Sequence, residues 1–254
     1  MATLDEHAIS ETSGVVASRT YPGVFWAHGD SGNPARLVAF DRTGRMLAAV
    51  AIDAVNADWE DITTDADGHL FIGDIGNYRG WFSLRQIYKI GEPDPYHPPR
   101  RPVKPLAVWQ YELPPDNRFD AEALYWRGGA LYVLAHGRGS RKLFRLVPSP
   151  DPARVRLQFV VSIPLLSATG ADCSKDGKRL VICGYHRCVI IALSPDGAWD
   201  RSVRPLDISY PRGGGIEAVA FDGDAVVLAA ENGEVFRVSQ PAFERHAHFA
   251  APVR

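Results

Sequence analysis

Apolar residues in this chain fall in short runs, and almost none recur at the three-to-four-residue spacing of an amphipathic helix. "VFWAHG" (24–29), "HLFIGD" (69–74), "ALYVLAH" (130–136), "RLVICG" (179–184) and "AVVLAA" (225–230) are rich in β-branched, aromatic and small apolar residues, with Gly, Asp or Asn close by. Such runs predict half-buried or buried strands. "TDADG" (64–68), "SKDG" (174–177) and "SPDG" (194–197) fall between strands. Their Asp-Gly pairs set hairpin geometry, so Asp65 and Asp67 are expected to be solvated turn residues rather than part of a site.

The strand pattern repeats. "SGVVAS" (13–18), "EDITTD" (60–65), "EALYWR" (122–127), "TGADCS" (169–174) and "EAVAFD" (217–222) are related segments, each followed by a turn and an apolar strand. A third strand follows in each unit ("RLVAFD", "RQIYKI", "KLFRLV", "CVIIAL", "EVFRVS"), then a more variable fourth. Starts at 13, 60, 122, 169 and 217 give intervals of 47, 62, 47 and 48. The long interval holds "GEPDPYHPPRRPVKP" (91–105), whose prolines exclude a central strand and favour an extended loop. Four strands recurring every ~45 residues are the signature of propeller blades. The expected fold is an all-β, single-domain propeller over 1–254 with five four-stranded blades, or six if the insertion hides a degenerate blade. Either residues 2–9 or the C-terminal tail supplies the strand that closes the ring.

Composition narrows the partners. Net charge is −2 and pI is near 6.4, and the one short basic run is "PPRRPVK" (98–104). Phosphate backbones need a concentrated basic face, so nucleic acid is not expected. No apolar run approaches the ~18 residues of a membrane helix. "MATLDEHAIS" lacks the basic and apolar regions of a signal peptide, and Cys173, Cys183 and Cys188 read as reduced core thiols. A cytoplasmic monomer acting on a small molecule is the expectation. "CGYHRC" (183–188) lacks a second zinc half-site.

The repeat turns scattered acids into a ring. In a blade the first strand lines the channel, and its start lies on the same face as the end of the second. The blade-start position reads Ser13, Glu60, Glu122, Thr169 and Glu217. Three glutamates should therefore converge at one mouth. Around them fall His28 and Asp30, Asp74 and Asn77, His136 and Arg138, Tyr185 and His186, and Glu231 and Asn232, with Glu11, Asp58, Asp61 and Asp172 on its flanks. Blade-start polar residues also cap neighbouring strands, and turn Asp and Asn serve local backbone needs. Crowded carboxylates, however, must take up a proton or a cation. Hard oxygen donors suit Ca²⁺ better than zinc, so Glu60, Glu122, Glu217, Asp74 and Asn77 are the candidate metal ligands. Trp26, Trp59, Trp109, Trp126 and Phe71 read as inter-blade core, with Trp59 kept as a candidate substrate contact.

"HGDSG" (28–32), "DWEDI" (58–62), "GDIGN" (73–77), "DAEAL" (120–124) and "TGADCSKDG" (169–177) resemble the NDSG, DWEDI, GDIGDN and EAL series of a group of bacterial β-propeller proteins. That group is similar to the esterase-like phytase and SdiA-regulated propellers. More distantly the chain resembles metal-dependent hydrolases of the gluconolactonase type. The resemblance implies a propeller with a polar, calcium-compatible mouth and says little of the substrate. His28-Gly29 and the shortened "GDIGNYR" depart from the group's pattern.

The leading expectation is ester or lactone hydrolysis on a small oxygen-rich molecule. Glu60, Glu122 or Glu217 would act as general base and His28 or His136 as acid. Arg138, Asp30, Tyr185, His186 and Trp59 would contact the substrate. A lyase, isomerase or cyclase could use the same groups, and a non-catalytic binding propeller is the other class. "GDSGN" (29–33) lacks the spacing and strand-to-helix context of a nucleophile elbow, which argues against Ser31 as a serine-hydrolase nucleophile.

Overall fold

A computed structural model describes residues 2–4, 9–77, 84–112, 119–136, 142–147, 151, 155–163, 167–195, 200, 206–208 and 215–239. Within them the chain begins with β1 (Ala2–Thr3) and then lays down strands in fours. Blade one is β2 (Thr12–Ala17), β3 (Val24–Gly29), β4 (Arg36–Asp41) and β5 (Met46–Ala51). Blade two is β6 (Trp59–Thr64), β7 (His69–Asp74), β8 (Leu84–Gly91) and β9 (Ala107–Glu112). Blade three is β10 (Asp120–Arg127), β11 (Ala130–His136), β12 (Lys142–Val147) and β13 (Arg156–Ser162). Blade four is β14 (Gly170–Cys173), β15 (Arg179–Gly184), β16 (Arg187–Ala192) and β17 (Leu206–Ile208). Blade five is β18 (Ile216–Asp222), β19 (Ala225–Ala230) and β20 (Glu234–Val238), completed by β1 as its outer strand. Each inner strand packs on the next, and β18 packs on β2, so five antiparallel sheets form a ring.

The N-terminus therefore closes the propeller. Ala2 pairs with Val235 and Thr3 with Glu234, and Leu4 N donates to Gly233 O at 2.9 Å. The Pro-rich insertion makes no sixth blade. It straps blade two onto blade one through a parallel bridge between Val103 and Ile52. Val103 N donates to Ala51 O at 2.8 Å, and Trp26 Nε1 donates to Glu92 Oε1 at 2.8 Å.

The core is five apolar layers, one between each pair of blades. Between blades one and two, Trp26 and Trp59 are fully buried with Leu37, Ile62 and Leu70. Trp59 thus belongs to the core, with its indole N–H donating to Val55 O at 2.8 Å. The three cysteines are buried free thiols. One turn expectation needs correction. Asp65 is buried, and it accepts the amides of Asp67 and His69 while Lys89 lies 3.5 Å away. Its turn is closed by Gly68 at φ 84°, a conformation natural to glycine.

Polar side chains tie the inner strands across the blades. Ser13 Oγ donates to Glu60 O (2.9 Å), Trp126 N to Thr63 Oγ1 (3.1 Å), Thr169 Oγ1 to Ile216 O (2.7 Å) and Phe221 N to Asp172 Oδ2 (2.8 Å). Asp61 reaches furthest. Its carboxylate accepts Ile62 N at 2.8 Å, Leu124 N of blade three at 2.8 Å and Ala171 N of blade four at 3.2 Å. At that level the other inner strands carry Gly14, Ala123, Gly170 and Ala218. Space there is short: a Cβ on Gly170 would come within 2.7 Å of Glu217 O. Asp61, expected at the mouth, is instead a buried tie. Burial pushes its carboxyl pKa well up, and the three amides pull it back.

Asp61→Ala would strand three buried amides without acceptors. At roughly 1 kcal/mol or more for each, urea unfolding should show a loss of about 3 kcal/mol or more. A loss under about 1 kcal/mol would show that these bonds do not hold the ring.

Candidate functional site

The mouth is built by a backbone irregularity repeated in four blades. The inner-strand pairings slip between Thr12 and Gly14, Trp59 and Asp61, Ala121 and Ala123, and Ile216 and Ala218. The skipped residues are Ser13, Glu60, Glu122 and Glu217. A β-bulge re-aims its extra residue out of the ladder, and here all four line one cavity of ≈ 540 Å³. The fifth blade-start residue, Thr169, is buried in its bond to Ile216.

Eight carboxylates line this cavity: Glu11, Asp30, Asp58, Glu60, Asp120, Glu122, Glu217 and Glu231. No lysine or arginine does so among the described residues. Glu11 holds φ 53°, the left-handed region that non-glycine residues seldom adopt. Its carbonyl accepts Asp30 N at 3.0 Å, fixing the turn that carries Asp30 and Ser31.

The three glutamates do not themselves close to one ion's shell. The group that does is Asp30, Asp58 and Glu60, whose ligand oxygens lie within 4.8 Å of one another. Gly76 makes room for it: a Cβ there would stand 2.1 Å from Glu60 Oε1 and 2.6 Å from the Asp58 carboxylate. Hard oxygen donors packed on a bare backbone fit a calcium-like ion. Burial raises the Glu60 carboxyl well above its ordinary range, with Asp30, Glu122 and Asp58 adding to the shift. Burial and the neighbouring acids lift Asp58 to about 6 and raise Asp30 as well.

A second layer holds these groups in place. Asp74 does not line the cavity; its Oδ1 accepts Asp58 N at 2.8 Å, and burial lifts its carboxyl to about 6. Asn77 does line the cavity, and its amide donates to Asp120 Oδ1 at 2.6 Å. Arg85, 1% exposed, is a buried cation whose charge acts on Asp58, Asp74 and Asp120.

In blade three, His136 Nδ1 lies 2.8 Å from both Glu122 Oε2 and Ala168 O. Burial and nearby acids raise the Glu122 carboxyl, while His136 draws it down. The His136 ring is pulled down by burial but raised on balance by Glu122. Glu217 rises to about 8 through burial and the charges of Glu122 and Glu231. Tyr185 lines the rim with its ring edge-on to His136 at 5.8 Å.

Besides Asp74 and His136, three further candidates fall away from the cavity. His28 is fully buried, edge-on to Trp59 at 5.5 Å, and a Cβ on Gly14 would stand 2.3 Å from its Nε2. Burial lowers its pKa to about 4, so it is a neutral core ring rather than an acid. Trp59 is sealed in the core beside it. His186 is exposed beside Tyr185 but does not line the cavity. Arg138 lies outside the described residues. Asp120 and Arg85 were absent from the expected set. Asp120 had a visible signal, since "DWE" (58–60) and "DAE" (120–122) place an Asp two residues before the bulged Glu.

No protein-family model matches the chain, and neither does any curated protein sequence. Solved structures share the propeller fold at low identity. A PQQ-bound aldose sugar dehydrogenase from Streptomyces coelicolor is similar at TM-score 0.54 and 12% identity, over 93% of this chain and 94% of that one. A nidogen/laminin complex is similar at TM-score 0.52 and 14% identity, over 92% and 78%. A gluconolactonase-like protein is similar at TM-score 0.50 and 16% identity, over 90% and 73%. A sugar dehydrogenase and a gluconolactonase-like protein stand beside a nidogen/laminin complex, so the fold is shared without fixing an activity.

The raised acids set a pH dependence. Glu217 titrates at about 8 when folded against an ordinary 4.5. The folded state thus holds the extra proton in between, and stability falls as pH rises through that window. His28, lowered to about 4 from 6.5, acts oppositely but only below about 6.5. With chelator present, unfolding free energy should fall between about pH 6.5 and 8, and Glu217→Gln should flatten that fall. Equal slopes in the two proteins would contradict the assignment.

Proposed function

We propose that the acidic mouth is a metal-assisted hydrolytic site for an ester or lactone of a small oxygen-rich molecule. The observation that carries this reading is the Asp30, Asp58 and Glu60 cluster seated on Gly76, sharing one cavity with Glu122, which His136 holds from behind. Asp30, Asp58 and Glu60 would hold a calcium-like cation, which when bound polarises a carbonyl oxygen and lowers the pKa of water.

The remaining groups divide the proton work. Glu122 is the general base that takes the proton of the attacking water. His136 does not line the cavity and is a positioning residue: its ring fixes the Glu122 carboxylate and favours its ionised form. Glu217, at about 8, is protonated at neutral pH and serves as the acid that delivers a proton to the leaving oxygen. Tyr185 is the one aromatic wall among the described lining residues, suited to the apolar face of a ring-shaped substrate. Eight carboxylates disfavour an anionic substrate unless the cation is present, which ties substrate entry to the metal.

Calorimetric titration with Ca²⁺ tests the ion. Asp58→Asn and Glu60→Gln should each weaken binding about tenfold or more, with Glu217→Gln changed much less. A screen of lactones and aryl esters tests the chemistry. Glu122→Gln should lower kcat about 100-fold or more, and chelation should abolish turnover. Turnover indifferent to both changes would end the hydrolase reading. Undiminished Ca²⁺ affinity in Asp58→Asn and Glu60→Gln would end the metal assignment.

A further inference from the structure

The opposite end of the channel carries the reverse charge. Where the inner strands finish, residues of blades one, two, four and five line a separate pocket of ≈ 240 Å³. Its cations are Arg19, Arg42 and Lys175. Arg42 is already claimed, forking onto Asp222 with Nε–Oδ2 at 2.8 Å and Nη2–Oδ1 at 2.6 Å, while Arg237 Nε holds Asp222 Oδ2 at 2.7 Å. Two cations thus share one carboxylate. Arg19 is different: its Nε is buried and has no hydrogen-bond partner among the described residues. Lys175, exposed at the pocket's edge, has no ion-pair partner there either. A buried guanidinium nitrogen without an acceptor costs free energy.

The pocket's other carboxylate, Asp172, leaves Arg19 Nε without a hydrogen bond. Asp172 lines the same pocket and feels the Arg19 charge, but its Oδ2 is taken by Phe221 N at 2.8 Å. The floor therefore presents donors that are not matched by acceptors among the described residues. Asp61 and Asp172 tie the inner strands between the two ends, and the two pockets share no lining residue.

We propose that this lower pocket binds a small oxyanion, a carboxylate or phosphate group, with Arg19 as its principal ligand and Lys175 as its second. The planar Arg19 fork matches two oxygens of either anion, and the Lys175 ammonium adds a mobile point charge. The site is independent of the acidic mouth, which would repel such a ligand.

Calorimetric titration of the full chain at fixed ionic strength, with inorganic phosphate and separately with succinate, tests the site. At least one anion should bind saturably, and the stronger of the two names the ligand class. Arg19→Gln should weaken it about tenfold or more, Lys175→Gln by a smaller factor, and the exposed control Arg101→Gln not at all. Arg19→Lys keeps the charge without the fork and should fall between; it carries the test if Arg19→Gln does not fold. Absence of saturable binding by both anions, or equal affinity in the wild type and every Arg19 and Lys175 variant, would overturn the proposal.

Discussion

The carboxylate of Asp61 receives amide hydrogens from its own strand and from the inner strands of two further blades, and much of the molecule hangs on that arrangement. It lies where the other inner strands offer only glycine or alanine, so no alternative side chain can take those amides. Its immediate neighbour Glu60 faces the other way, into the mouth. A regular strand would also send consecutive residues to opposite faces, but both faces would be those of the blade. The bulge between Trp59 and Asp61 redirects Glu60 towards the axis while Asp61 locks the blades together. Structure and chemistry are thus set by two adjacent acids with separate duties.

That lock makes the crowding above it possible. Eight carboxylates share one cavity, and burial together with mutual repulsion raises those at its centre. Unaided, such a set would spread apart or protonate. The apolar layers between blades and the cross-blade bonds resist spreading, and Arg85 offsets part of the charge from behind. The remaining options are protons or a cation. Burial and neighbouring charge favour the proton at Glu60 as at Glu217, and the oxygens of Asp30, Asp58 and Glu60, pressed against Gly76, lie close enough together that a cation could take its place.

The blade count was legible because each blade is a self-contained sheet, so spacing alone reveals it. The three bulged glutamates were legible for the same reason. His28 was not, and Trp59 was legible as inter-blade core but not separable from a substrate contact. Bulges shift strand parity in a way spacing cannot show, and beside the bulge at Ser13 the His28 ring packs edge-on against Trp59 and does not line the cavity. Asp74 sits at a strand end as expected, yet it is spent on the Asp58 amide. Asp58 and Asp120 were readable in the shared D-x-E pattern. Arg85 was not, since its role arises only when a third strand folds behind the cluster. The insertion's prolines excluded a blade, but not its bridge to blade one, which depends on backbone groups rather than side chains.

We propose above all that the Asp30, Asp58 and Glu60 cluster holds a cation at the propeller mouth. Anomalous diffraction from crystals grown with saturating Ca²⁺ tests it most directly. One strong anomalous peak is expected, shared by oxygens of all three carboxylates and lost in crystals of Glu60→Gln. Carboxylates that remain without an ion at saturating Ca²⁺, or a peak at the mouth that avoids all three, would contradict it.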